Sequence, residues 1–379
     1  MERFDAIVVG AGPAGSTAAY RLSGAGARVL LLDRERFPRD KPCGGGLTYR
    51  AVRQLPVRVD AVVEDVVDRF ELGFRYGSRF ERGGEGPLVL MTQRRRLDAH
   101  LAEQAAEAGA DFRDGVRATA LELGETEATV RFDGTSAVAP VVIGADGVNG
   151  LTARALELGV RRRYGVALEG NVSYAHAREE RWRGRAVVEL GAVPGGYAWV
   201  FPKGDHVNVG VGGWESEGPR LREHLDRACA EYGLPADRLQ SVRGYRLPMR
   251  SAGDRARQGR ALLVGDAAGL VDPLSGDGIY EALVSARLAA ESALELLEGL
   301  GGDAYEARLE AALGRTLAAS WKAKLALERF PRLVFDVARL PIVWGFTAAF
   351  LRGELAHPDD AKGLVRAPLR LVEALGRPH

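Results

Sequence analysis

Cysteine is almost missing from this chain. Two thiols among 379 residues, Cys43 and Cys229, exclude a disulfide framework. They also lack the C-x-x-C spacing of a dithiol redox centre or a zinc site. The six histidines include no H-E-x-x-H, and no metal site is expected. Net charge is scarce as well. At +1, nothing calls for nucleic acid or another strongly charged partner. Long apolar runs are lacking, and the longest clean one, about Leu340 to Leu351, is too short for a membrane span. The N-terminus enters a strand pattern with no basic, apolar, small-residue leader, so a cytoplasmic location is expected. The length suits two closely joined domains, and a hydrophobic share of 46% permits a sizeable core.

Glycine, in contrast, is abundant and placed. In "FDAIVVGAGPAGSTAAYRLSGAGARVLLLD" residues 4–9 read as a buried strand and 13–24 as a helix. Gly10, Gly12 and Gly15 stand between and within them as G-x-G-x-x-G. The first permits a tight turn, the second lets a pyrophosphate approach the backbone, and the third lets helix and strand pack closely. A second strand ends in Asp33, about 20 residues on, where an acid binds a ribose hydroxyl. Strand, helix, strand and terminal acid together predict a dinucleotide-binding α/β unit. "APVVIGADGVNG" then gives a buried strand ending in Asp146-Gly147. "GRALLVGDAAGLVDPLSGDGIYEAL" gives a strand over 260–264, the turn Gly265-Asp266, a Gly/Pro loop and a long helix from about Gly278.

These three segments, in this order, resemble the FAD-dependent oxidoreductases built like para-hydroxybenzoate hydroxylase. The resemblance implies FAD as cofactor, held by Gly10, Gly12, Pro13, Ala14, Gly15, Asp33 and Arg34, with Val116, Asp146 and Gly147 close by. It puts Asp266 on the ribityl chain and adds Gly276, Gly278 and Ile279 at the start of the long helix. Arg94, in "RRRLDAHL", takes the place of the FAD-contacting arginine, and Arg95 is the alternative if the register shifts by one. No second G-x-G-x-x-G precedes an apolar helix, so NADPH, ferredoxin or another electron donor must visit transiently.

Two words narrow the branch. "PRDKPCGGGL" resembles the geranylgeranyl reductase family, whose members saturate isoprenoid double bonds, and implies that Cys43, Gly44 and Gly45 lie beside the flavin. "GGYAWVFPKGDHVNVGVGG" resembles the same family's Y-x-W-x-F-P motif. Tyr197, Trp199 and Phe201 alternate, so they face one side of a strand and suit an apolar wall for a hydrocarbon substrate. The same spacing also fits plain core packing. Cys43 is a candidate proton donor, or a pocket residue beside the flavin; Cys229 reads as structural. An aromatic monooxygenase, an electron-transfer dehydrogenase acting on quinone and a non-catalytic lipid- or quinone-binding flavoprotein are the rival readings.

The expected architecture is a Rossmann-type FAD domain (1–75, 92–160, 250–300), an inserted antiparallel-sheet substrate domain (76–91, 161–249) and a helical region (301–379). The stretch 59–91 yields only strands crossing toward the substrate layer. The apolar C-terminal helices read as core packing or as an interfacial lid through which a prenyl lipid enters from a bilayer. A prenyl lipid or prenyl diphosphate is the expected partner; oligomeric state is not legible.

Overall fold

The computed structural model describes residues 1–159, 162–251, 253–300, 304–355 and 357–377. At its base lies a six-stranded sheet in the order 257–258, 261–263, 141–144, 6–9, 29–32, 111–113, parallel except at the Arg257–Gln258 edge. Its inner strands are continuous apolar runs because both faces are covered. Ala6, Val8, Leu31 and Ile143 pack with the helices Pro13–Gly24 and Ile279–Leu297. Ile7, Val9, Leu30 and Val142 face the hairpin strands 118–123, 128–132 and 135–139. Hairpin turns fall at Gly124 and at Asp133-Gly134.

The second layer is a seven-stranded sheet in the order 240–249, 163–173, 206–214, 197–202, 185–190, 69–74, 78–83. It is not wholly antiparallel, as the sequence pattern predicted. Strand Arg69–Phe74 joins Arg185–Leu190 in parallel, a pairing between chain-distant segments that no local alternation announces. That strand precedes residue 75, so the large sheet draws on both sides of the expected boundary there. Val89–Met91 instead pairs with Gly46–Thr48 and Asp65–Val67 in a small sheet between the layers.

Alternation divides the faces of strand Tyr197–Pro202. Ala198 and Val200 pack with Val209, Val211, Leu225, Cys229 and Tyr232 beneath the helix Leu221–Tyr232. Tyr197, Trp199 and Phe201 therefore point to the other face, toward the nucleotide-binding layer. C-terminal helices close the side. Tyr305 donates to the Leu263 carbonyl (2.7 Å), fixing the first of them to the parallel sheet. Among the described residues no single helix is long and apolar enough to cross a membrane; Pro331–Ala338 and Pro341–Leu351 meet that test only as a pair bent by 83°.

Candidate functional site

The two layers enclose a cleft of about 980 Å³. Every site residue named from the sequence lines it except Gly15. Gly15 lies beneath the turn, where a Cβ would run into the Gly10 carbonyl; its part is close packing of helix on strand.

At one end the strand 6–9 delivers Gly10 and Gly12 to the N-terminus of the Pro13–Gly24 helix, whose first N–H groups have no partner within the helix. Asp33 braces the turn from the next strand, its Oδ2 accepting from the Ala11 N–H (2.8 Å) and its Oδ1 from the Glu35 N–H (2.9 Å). Two guanidiniums converge where Gly12 has no side chain. A Cβ there would sit 3.5 Å from Arg39 and 3.8 Å from Arg94. Both arginines share Asp98: Arg94 forks onto it (2.7 and 2.6 Å) and Arg39 approaches to 2.8 Å. Burial works against the Arg94 charge, but Asp98 outweighs it and holds the guanidinium above its ordinary range. Arg95, the alternative, is exposed. A helix N-terminus with two fixed cations and a bare glycine backbone fits a pyrophosphate.

Further along, Asp266 lies half-buried between Lys41 (3.1 Å) and the Tyr245 hydroxyl (2.9 Å). Burial raises its carboxyl, but Lys41 overcomes this and holds it below the usual value. Lys41 is 4.6 Å above the Tyr245 ring, so acid, cation and phenol form one unit. Gly276 (φ +67°) and Gly278 lead into the Ile279–Leu297 helix, where the Ile279 N–H is capped by Asp277 (3.0 Å). Asp146 lines the cleft, but its carboxylate turns back to accept from the Thr152 N–H (2.9 Å) and hydroxyl. Val116 donates its N–H to the Asp33 carbonyl (2.8 Å), and Arg34 stays at the rim, paired with Glu35 (3.3 Å).

On the facing sheet the three aromatics form a row. Ring centroids are 5.9 Å apart for Tyr197–Trp199 and 6.2 Å for Trp199–Phe201. The glycine-rich "NVGVGG" explains how a row so bulky lies flat. Gly210 pairs with Trp199 across the strands, and a Cβ on it would overlap the indole. The indole N–H is satisfied by Asn208 (2.7 Å), which in turn donates to Asn171 (3.0 Å). Gly44 abuts Phe201 and Trp199, so the Cys43–Gly45 loop touches the row directly. Cys43 donates its N–H to Glu169 (2.7 Å), and its Sγ accepts from the Gly45 N–H (3.3 Å). Burial raises the thiol, which keeps it protonated.

Sequence reasoning passed over Arg39, Lys41, Asp98, Glu169, Lys203 and Tyr245. Only Asp98 carried a local signal, its i,i+4 spacing from Arg94. Arg39, Lys41, Glu169 and Tyr245 reach the cleft from segments far apart in the chain, and Lys203 stands behind its wall.

Glycine-floored turn, converging arginines and the half-buried Asp266 unit fit a flavin dinucleotide, and the FAD binding domain family model matches residues 3–324. The chain is an FAD-dependent oxidoreductase. Within that class it belongs to the geranylgeranyl reductase family. It is 35% identical to a menaquinone reductase of Mycobacterium tuberculosis over 76% of each chain. It is 34% identical to digeranylgeranylglycerophospholipid reductase 1 of Methanopyrus kandleri, over 78% of this chain and 81% of the relative. Its fold matches the crystal structure of a geranylgeranyl bacteriochlorophyll reductase-like protein of Thermoplasma acidophilum with a TM-score of 0.83, at 24% identity over 99% of this chain and 100% of the other.

Proposed function

We propose that this protein saturates isolated carbon–carbon double bonds of an isoprenoid chain carried by a lipid or quinone. The observation that carries the reading is the meeting of the aromatic row with the Cys43–Gly45 loop in the cleft that holds the glycine-floored turn. Bound FAD supplies the hydride. Gly10, Gly12, Arg39 and Arg94 hold its pyrophosphate, Asp33 the ribose and Asp266 the ribityl chain. Tyr197, Trp199 and Phe201 hold the chain by area, since a hydrocarbon offers no polar handle. Phe201 is continuous with Phe70, Val89, Met91, Ala186 and Leu351, all lining the cleft, and this apolar wall keeps water from the reacting carbons. Cys43, held protonated, stands beside them as the thiol that shapes the pocket or gives the proton. The electron donor, NADPH or ferredoxin, visits from outside.

The substrate enters along the C-terminal helices. Val334, Ala338 and Leu351 line the cleft, while Phe330, Leu333, Leu340 and Ile342 of the same bent pair and its flanks are exposed, a surface suited to peripheral contact with a bilayer. The division of the chain into FAD-binding, substrate and helical parts remains our working one, with strand Arg69–Phe74 counted with the substrate sheet.

The test is mass spectrometry of a prenyl quinone, a geranylgeranyl glycerolipid and geranylgeranyl diphosphate after incubation with dithionite-reduced, FAD-loaded protein, with the quinone headgroup reoxidised before the masses are read. Gains of two hydrogens in the quinone or glycerolipid are expected. No gain in any of the three refutes the reading. Cys43→Ala with FAD retained separates the thiol's roles: an unchanged rate and product pattern removes it from the chemistry.

A further inference from the structure

We infer that Lys203 and Glu169 are positioning residues that act as one clamp, fixing the Cys43–Gly45 loop against the aromatic row. Neither lies in the loop. Glu169 stands on strand Arg163–Ser173 between Gly210 and Arg243 of its neighbours. Lys203 follows strand Tyr197–Pro202, its backbone N–H donating to the His206 carbonyl (2.8 Å) and its own carbonyl accepting from Arg183 (3.0 Å). Both backbones are thus set by the seven-stranded sheet, while the loop belongs to the nucleotide-binding side.

The loop is gripped residue by residue. Glu169 accepts from the Cys43 N–H (2.7 Å). The Lys203 ammonium donates to the Gly44 carbonyl and to the Thr92 carbonyl (2.8 Å). Thr92 completes the ring by donating its N–H to the Gly45 carbonyl (2.8 Å), and its own hydroxyl is anchored on Val62 (2.8 Å). Gly45 sits at φ +71°, and a Cβ there would occupy the place of the Lys203 Nζ and the Thr92 carbonyl. That conformation and that emptiness are what the ammonium requires to reach in. Lys203 is 2% exposed and does not line the cleft, so its charge serves the loop and not a ligand. A buried ammonium is costly unless it is fully hydrogen-bonded. Its presence behind a loop of three glycines, which has no rigidity of its own, gives both features one explanation.

The clamp is pH-sensitive. Burial pushes Lys203 down to about 8, against the opposing influence of Cys43, Glu169 and Glu64, which face it from the loop, from strand Arg163–Ser173 and from the segment before Asp65–Val67. Loss of its proton removes the charge from both hydrogen bonds and frees the loop.

The readout is the rate at which a maleimide labels Cys43 in FAD-loaded protein, resolved by peptide mass spectrometry. Cys229, buried in the core beneath the sheet, reports unfolding in the same sample. At neutral pH, Lys203→Met and Glu169→Ala are expected to raise Cys43 labelling by at least about tenfold with Cys229 silent, as follows from losing a charge-assisted bond. Glu169→Gln, which keeps an acceptor for the Cys43 N–H, is expected to stay near the wild-type rate. Raising the pH above about 8 should shrink the ratio of Lys203→Met to wild type, since the wild type then loses its own clamp. Wild-type rates in both Lys203→Met and Glu169→Ala, or equal rates for Glu169→Gln and Glu169→Ala, overturn the inference. If Lys203→Met exposes Cys229, the two Glu169 variants decide. No prenyl substrate is present, so the inference stands or falls apart from the proposed reaction, on which only its catalytic consequence rests.

Discussion

Gly44→Ala tests whether the loop and the aromatic row form one surface. Gly44, unlike Gly45, has an ordinary φ, so an added methyl acts through space alone. The new Cβ would lie 2.9 Å from two Phe201 ring carbons and 3.5 Å from the Trp199 indole nitrogen. Carbon–carbon contacts are comfortable at about 3.5–4.0 Å, so the ring must retreat by roughly 0.6–1.1 Å. Retreat is opposed on two sides, by Trp199 at 6.2 Å between centroids and by the apolar cluster that contains Met91 and Leu351. Overpacking of this kind costs about 1–3 kcal/mol. Thermal unfolding of the FAD-loaded variant is expected to fall by a few degrees. Phe201→Leu removes the clashing ring edge and loses packing on its own. Combined with Gly44→Ala it should cost less than the two single changes added together, by about 1 kcal/mol or more, because the methyl then has room. Strict additivity would show that Gly44 and Phe201 do not press on each other, and the joined surface would be refuted.

The nucleotide-binding half was legible because its chemistry is local. Gly10, Gly12 and Asp33 are close in sequence, and the turn geometry follows from residue type alone. The strand face bearing Tyr197, Trp199 and Phe201 was legible from alternation, and the structure adds the reason for the glycines opposite it. What lay hidden depends on charges that meet across the chain. Asp266 was placed, but the Lys41 that keeps it ionised comes 225 residues earlier, and Tyr245 from the far edge of the other sheet. The parallel pairing of Arg69–Phe74 with Arg185–Leu190 escaped for the same reason. Asp146 shows the converse. Its position at a strand end was legible, but its partner was not: the short Leu151–Ala155 helix that follows engages the carboxylate through Thr152.

Two further perturbations address the charges. Asp98→Ala leaves the buried Arg94 and the half-buried Arg39 beside each other without their shared counterion, which costs about 3–5 kcal/mol. A lowered melting temperature and loss of bound FAD on gel filtration are expected, and an unchanged melt would discount the arginine pair as a fixed unit. Lys324 gives the alkaline test. It reaches from the Arg315–Arg329 helix to donate to the Gly195 carbonyl (2.6 Å) and lies 4.3 Å over the Trp214 ring. Burial pushes it down to about 8, with Asp272 opposing, against an ordinary value of 10.5. The folded value is the lower one, so between these pH values the unfolded chain holds the proton that the folded chain has released. Stability from this group therefore rises with pH across that window and is lost as pH falls through about 8. The full shift corresponds to about 3 kcal/mol as an upper bound. Lys324→Met removes the titration but leaves every other lysine in place. The wild type should accordingly gain on Lys324→Met between about pH 7.5 and about pH 10, by up to that amount, in paired thermal melts. A difference that stays constant with pH would mean that the Gly195 carbonyl and the Trp214 ring compensate the burial fully, and that Lys324 keeps its proton in the folded protein throughout.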